Sequence, residues 1–300
     1  LTEIADPDIA CIINIQEAHL EGLGDIQGVA KAKNELFDGL KPEGKAIVNL
    51  DDEIIRSLAD QLLQEKITFG CGPEAYVRAT DIESLGPDGM AFTLHIGAEK
   101  GRVIIKALGS HNISNSLAAA AMAHGAGIGL DEIIEGLSAF MPYEKRTCIE
   151  ELASGIKVLN DCYNANPASM MAALRTLKDL KKDRQAVAVL GDMLELGEHS
   201  NDAHKAIGKA VYELGIDFLA AFGSQAQNLV TSALASGMDP EAARVFSSKA
   251  DLAAWLKLLE QKKRITRGDW LLLKGSRGMR MEEVLELLHK DQDTIKAEGN

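Results

Sequence analysis

The chain has 300 residues, with 32 Lys and Arg against 45 Asp and Glu, a formal charge of −13; at roughly 100–200 residues per domain the length predicts two domains, each with its own core. Apolar residues at 46% and charged residues at 26% fit a folded globular chain and exclude a disordered one. The acidic balance excludes a general nucleic-acid binder, and no apolar run reaches the ~18–20 residues of a membrane span.

In chain order, residues 10–15 (ACIINI) read as a buried strand. Residues 26–40 carry helical spacing, with Ile26, Val29, Ala30, Leu36 and Phe37 on one face. Residues 45–50 read as a second buried strand, ended by Asp51 and Asp52. Residues 67–69, 91–96 and 102–105 are strand-like, punctuated by Gly-Pro and Pro-Asp-Gly turns. An alanine-rich helix over 112–126 stops at Gly127 and Gly129, and Asp131 is expected to cap a further helix that runs to about Phe140.

Polar residues then mark a boundary at about 142–146, giving expected domains 1–143 and 144–300. Beyond it, strand-like runs at 157–160, 186–190, 218–222, 244–246 and 270–273 alternate with helical stretches at 168–180, 204–214, 226–235, 251–261 and 281–289. Such alternation implies βαβ units and a mostly parallel sheet. Residues 291–300 are expected to fray. The chain opens on Leu1 and enters a strand at once, which suggests a piece of something longer.

Cys11, Cys71, Cys148 and Cys162 form no C-x-x-C pair, so neither a zinc ribbon nor a dithiol redox site is supported. Each lies in or beside an apolar stretch and is expected to pack as a small hydrophobe, as in a reducing cytoplasm.

Several segments carry chemistry. Residues 39–46 (GLKPEGKA) mimic a phosphate loop, but Ala follows the lysine and the segment leads into a strand, not a helix N-terminus. It is expected to be a decoy. His19, in NIQEAHLE after the first strand, can reach a metal or phosphate, or can be a solvated loop histidine. Lys33 follows fourteen residues later and by itself reads as an exposed helix lysine. In GSHNISN (109–115), His111, Asn112 and Asn115 suit contact with a purine or an anion, or a capping arrangement. Arg146 suits a phosphate and Asp161, at a strand's carboxyl end, suits ribose hydroxyls; an inter-domain ion pair is the other reading. In LKGSRGMRME (273–282), Lys274 and Arg277 lie among cations and glycines that can cradle carboxylates or phosphates. LGDMLELG (190–197) does not meet the dinucleotide fingerprint.

Taken together, DCYNANPASM (161–170), LGDMLELG and KGSRGMRME resemble the Mur ligase family of ATP-dependent amide ligases, over nearly the whole chain. The resemblance implies an α/β fold: the remainder of a P-loop-type central ATPase domain with a mixed sheet, then a Rossmann-like domain with a mostly parallel sheet. It implies ATP and magnesium, with His19 as a metal ligand and Lys33 as a lysine that becomes a metal-binding carboxylate on carbamylation. Carbamylation requires a neutral amine, so Lys33 is expected to be desolvated or near cations. His111, Asn112 and Asn115 would meet the purine, Arg146 the terminal phosphates, Asp161 the ribose, and Lys274 and Arg277 the peptide substrate.

The implied substrates are UDP-N-acetylmuramoyl-tripeptide and D-Ala-D-Ala, joined through an acyl phosphate in peptidoglycan precursor synthesis by a cytoplasmic bacterial monomer. The family's UDP-binding domain and G-x-x-G-K-T-type loop have no counterpart in these residues, so the expected piece is inactive alone. Another Mur-type ligase, a folylpolyglutamate-synthase-like ligase and a non-catalytic nucleotide-binding module are the alternatives.

Overall fold

The computed structural model describes residues 2–142 and 147–298, with side chains to residue 290. The chain divides into two compact units, Leu1–Met141 and Pro142–Asn300. Arg146 lies outside the described residues.

The first unit comprises α1 (Thr2–Ala5), β1 (Ile9–Ile12), α2 (Leu20–Leu23), α3 (Ile26–Asp38), β2 (Lys45–Asn49), α4 (Glu53–Ala59), β3 (Glu65–Gly70), β4 (Val77–Ser84), β5 (Met90–Ile96), β6 (Glu99–Ile105), α5 (His111–Gly125) and α6 (Leu130–Ala139). Its sheet runs β1-β2-β3-β4-β5-β6. The first four strands pair in parallel and the last three form antiparallel pairs, so the sheet is mixed. Strand alternation divides the core between two faces. Ala46 and Val48 of β2 join Val29, Ala30 and Phe37 of α3 on one side. Ile47 between them joins Ile67, Phe69 and the buried face of α5 on the other. The small residues of α5 let it lie close on the sheet: a side chain at Gly125 would stand 3.2 Å from Ile67 Cδ1.

The chain does not enter a strand at once as expected, since the four-residue helix α1 precedes β1, and three further elements here depart from the sequence pattern. β4 (VRATDIES) carries Arg78, Asp81 and Glu83, and its register with β5 shifts between Thr80 and Glu83, which breaks the alternation a strand is read by. α4 has only seven residues, too short for periodicity to show. The cap of α6 is Gly129 rather than Asp131, which sits instead in the first helical turn, where its charge favours the helix dipole.

The second unit comprises β7 (Cys148–Glu151), β8 (Lys157–Asp161), α7 (Pro167–Lys181), β9 (Ala186–Gly191), α8 (Ser200–Glu213), β10 (Phe218–Phe222), α9 (Ala226–Ala235), β11 (Ala243–Phe246), α10 (Lys249–Gln261), β12 (Trp270–Lys274) and α11 (Glu282–Glu298). The sheet order is β11-β10-β9-β12-β8-β7. Every pairing is parallel except β7 with β8. β9 and β12 are buried along their whole length, as central strands of a parallel sheet covered on both faces must be. β7 escaped the sequence reading because it is a short polar edge strand with no residue fully buried. α11 continues to Glu298, past the point where fraying was expected.

Candidate active site

In the first unit the polar residues gather where β1 and β2 end. β1 and β2 are parallel, so their carboxyl ends open on the same side, the usual place for ligands in such sheets. Asn49, buried at the end of β2, donates from Nδ2 to the Ile13 carbonyl at 2.8 Å and joins the two strand ends. Asp52 accepts the Ile15 amide at 2.7 Å and caps α4 by accepting Ile54 and Ile55 N–H, both at 3.1 Å. Lys33, on α3, donates to the Asn14 carbonyl at 2.6 Å. Burial lowers its pKa from the ordinary lysine value, and the nearby Asp52 charge works in the opposite direction. The desolvation expected of Lys33 is therefore present, while the electrostatic neighbour is an anion rather than a cation. His19 stands exposed at the N-cap of α2 in the left-handed conformation, φ 56°. Among the described residues no three His, Cys, Asp or Glu side chains assemble as a metal set.

The loop before α5 also carries its expected residues. Gly109 takes φ 87°, and Ser110 makes no side-chain cap. Asn112 donates to the Leu108 carbonyl at 2.8 Å and lies 3.1 Å from His111 Nε2, and Asn115 donates to Asn112 Oδ1 at 3.0 Å. His111, Asn112 and Asn115 thus form one hydrogen-bonded row, with His111 and Asn115 exposed.

The decoy lies elsewhere. Lys45 Nζ donates to the Gly125 carbonyl at 2.9 Å, at the C-terminal end of α5, and Gly44 closes a turn on Lys41. That lysine caps a helix; it does not cradle an anion.

In the second unit, Lys274 and Asp161 are register partners on β12 and β8. Their side chains meet at 2.6 Å, and Lys274, only 2% exposed, also donates to the Asn164 carbonyl at 2.9 Å. Asp161 Oδ1 accepts the Thr147 amide at 3.2 Å. Sequence reasoning sent these two residues to different ligands, and the fold pairs them with one another. Arg277 is exposed and pairs with Glu282 at 2.8 Å.

Beside them, β9 leads into the 191–197 loop. A side chain on Gly275 would stand 3.1 Å from Gly191 Cα, and one on Gly191 2.8 Å from Met281 Sδ, so these glycines let the two strand ends approach. Asp192 accepts the Ser224 amide at 2.7 Å and the Gln225 amide at 3.0 Å, which ties the loop to the start of α9. Buried Cys162 donates to the Leu273 carbonyl, and burial pushes its thiol up to about 12. Cys71, by contrast, is exposed rather than packed as a hydrophobe. Sequence reasoning singled out neither Asn14, Asn49 and Asp52 nor Asp192, His204 and Ser276. The available signal was position: all but His204 lie at the end of a strand or within three residues past it.

Comparison with known proteins matches the Mur ligase middle domain to residues 1–123 and the Mur ligase, glutamate ligase domain to residues 146–277. The chain belongs to the Mur ligase family. It is 36% identical over 288 residues to the UDP-N-acetylmuramoyl-tripeptide–D-alanyl-D-alanine ligase of Escherichia coli, covering 95% of this chain and 61% of that protein. The ligase of the same name from Bacillus subtilis is 33% identical over 286 residues, covering 95% of this chain and 60% of that protein. A crystal structure of MurF from Acinetobacter baumannii superposes with a TM-score of 0.85 at 33% identity, over 96% of this chain and 61% of that one. This Mur ligase chain therefore spans about three fifths of the length of the curated relatives it matches. Among its described residues no helix is long and apolar enough to cross a membrane.

Proposed function

We propose that the chain is the greater part of an ATP-dependent ligase that joins D-Ala-D-Ala to UDP-N-acetylmuramoyl-tripeptide in the bacterial cytoplasm. The observation that carries this reading is identity of 33–36% to ligases of that name, sustained through 95% of the chain. On this reading residues 1–143 belong to the central ATP-binding domain and 144–300 to the C-terminal substrate domain, acting as a monomer.

The desolvated amine of Lys33 fits a lysine that gives up its proton and takes carbon dioxide as a carbamate. That carboxylate and the exposed His19 imidazole would hold a magnesium ion, a cation that keeps several waters and needs few protein ligands. Bound there, magnesium supplies positive charge against the ATP phosphates. His111, Asn112 and Asn115 offer an amide and imidazole edge to the purine, and Arg146 pairs with the terminal phosphates. Asp161 retains a lone pair on Oδ2 for one ribose hydroxyl. Lys274, turned inward, holds Asp161 in place, which leaves exposed Arg277 to meet the peptide.

The γ-phosphoryl group passes from ATP to the tripeptide's terminal carboxylate, giving an acyl phosphate and ADP. The D-Ala-D-Ala amine then attacks that carbonyl, loses a proton and expels phosphate. No G-x-x-x-x-G-K-[ST] occurs in these 300 residues, so they are expected not to turn over alone. The test is phosphate release by the chain extended upstream, given ATP, magnesium and the UDP-linked tripeptide. Release that depends on D-Ala-D-Ala and vanishes in Lys33→Ala supports the reading. Release indifferent to that dipeptide assigns another amine, as in a sibling Mur-type or folylpolyglutamate-synthase-like ligase. No turnover at all assigns a nucleotide-binding module.

A further inference from the structure

His204 on α8 has no exposed surface, and both of its ring nitrogens face main-chain groups. The Met193 amide donates to Nε2 at 2.9 Å, and the Ser200 carbonyl lies 2.7 Å from Nδ1. An amide N–H can only donate and a carbonyl can only accept, so Nε2 bears the lone pair and Nδ1 bears the proton. The ring is thereby held as one neutral tautomer. Burial favours that neutral form, against the Ser200 carbonyl and the Asp192 charge, which favour the cation. α9 and α7 pack against α8: α9 brings no titratable side chain, and on α7 Arg175, Lys178 and Asp179 are exposed while Lys181 pairs with Asp217.

Met193 belongs to the segment that leaves β9 at the carboxyl end of the sheet. The next amide, Leu194, donates to Ser276 Oγ at 2.9 Å, and the Ser276 amide donates to the Asp192 carbonyl at 3.0 Å. Ser276 Oγ lies in turn 3.2 Å from the Ala165 carbonyl, in the loop that follows Asp161. Residues 192–194 therefore link His204 on one side to the Lys274–Ser276 turn on the other.

We propose that His204 is a positioning residue: its neutral imidazole anchors the Met193 amide and thereby sets the 192–194 segment and the Ser276 turn beside Asp161. The anchoring stands on these hydrogen bonds alone; its consequence for substrate rests on the ligase reading. A buried histidine that only filled space would be replaceable by any side chain of similar volume. An anchor requires an acceptor at the place of Nε2. Glutamine can put its carbonyl oxygen there, whereas asparagine reaches only as far as Nδ1.

The first experiment follows amide exchange in the 300-residue chain and in His204→Gln and His204→Asn. Met193 and Leu194 should exchange about ten-fold faster in His204→Asn, the loss of one net hydrogen bond, and near the native rate in His204→Gln. Amides of β10 should be unchanged in both. After correction for intrinsic rates, acidification should release Met193 in the native chain and not in His204→Gln. Equal protection in all three chains, or loosening that spreads equally into β10, overturns the proposal. Should His204→Gln not fold, the imidazole nitrogen shifts of the native protein decide: a proton on Nε2 rather than Nδ1 overturns it. Kinetics in the upstream-extended chain form a separate arm, where kcat/KM should fall in His204→Asn and recover in His204→Gln. Absence of turnover in the native form would count against the ligase reading and leave the exchange result standing.

Discussion

Lys274 is a cation that the fold takes out of water, and it is kept by Asp161 and the Asn164 carbonyl. Removing one partner of such a pair leaves a buried charge uncompensated, which costs far more than the pair gains. Asp161→Ala is therefore expected to destabilise the second unit by about 3–5 kcal/mol, measured by urea unfolding. Lys274→Met added to that variant should recover much of the loss. Lys33 is the opposite case, a lysine whose pKa burial lowers while the Asp52 charge works against that shift. A carbamate carbonyl signal should appear when the chain is given 13C-bicarbonate, and Lys33→Ala should lack it. The resemblance to the Mur ligase family drew attention to these residues. Their partners were not legible in the sequence, because Asp161 and Lys274 are over a hundred positions apart and meet only through the pairing of β8 with β12.

Elements in the second unit are punctuated by local chemistry. Asn166 accepts the Ser169 amide at 2.8 Å while Ser169 Oγ accepts the Asn166 amide at 3.0 Å, and Pro167 occupies the first turn of α7. Asn166→Ala should cost about 1 kcal/mol, read as a shift in the urea midpoint. Close strand ends are the second device. Gly275→Ala brings a methyl against Gly191 Cα and the Met281 side chain, whereas Gly278→Ala meets only the tip of exposed Leu194. The first substitution should lower the melting temperature markedly more than the second. Buried strands and long helices were readable from hydrophobic runs and period. β4 and β7 were not, since a bulge, charged side chains or an edge position removes the pattern a strand is recognised by.

For the whole molecule, the second unit holds a complete six-stranded sheet with its own core, so residues 142–300 expressed alone should unfold cooperatively by circular dichroism. Its stability should depend on pH through His204. Burial holds the folded pKa below the unfolded value of about 6.5, so the unfolded chain takes up a proton that the folded one refuses. Stability is full above about pH 6.5 and declines as pH falls below it, and the urea midpoint of His204→Gln should lack that component. Composition and hydrophobic period sufficed for two α/β units and the mostly parallel second sheet, and a few dense motifs for the family resemblance that implied the mixed first sheet, because each is written in residues close along the chain. Tertiary structure alone decided the strand order, the inward turn of Lys274, the anion beside Lys33 and the anchoring of Met193 by His204. Those depend on which distant segments come within hydrogen-bonding reach, and on how far burial strips water from the groups that meet there.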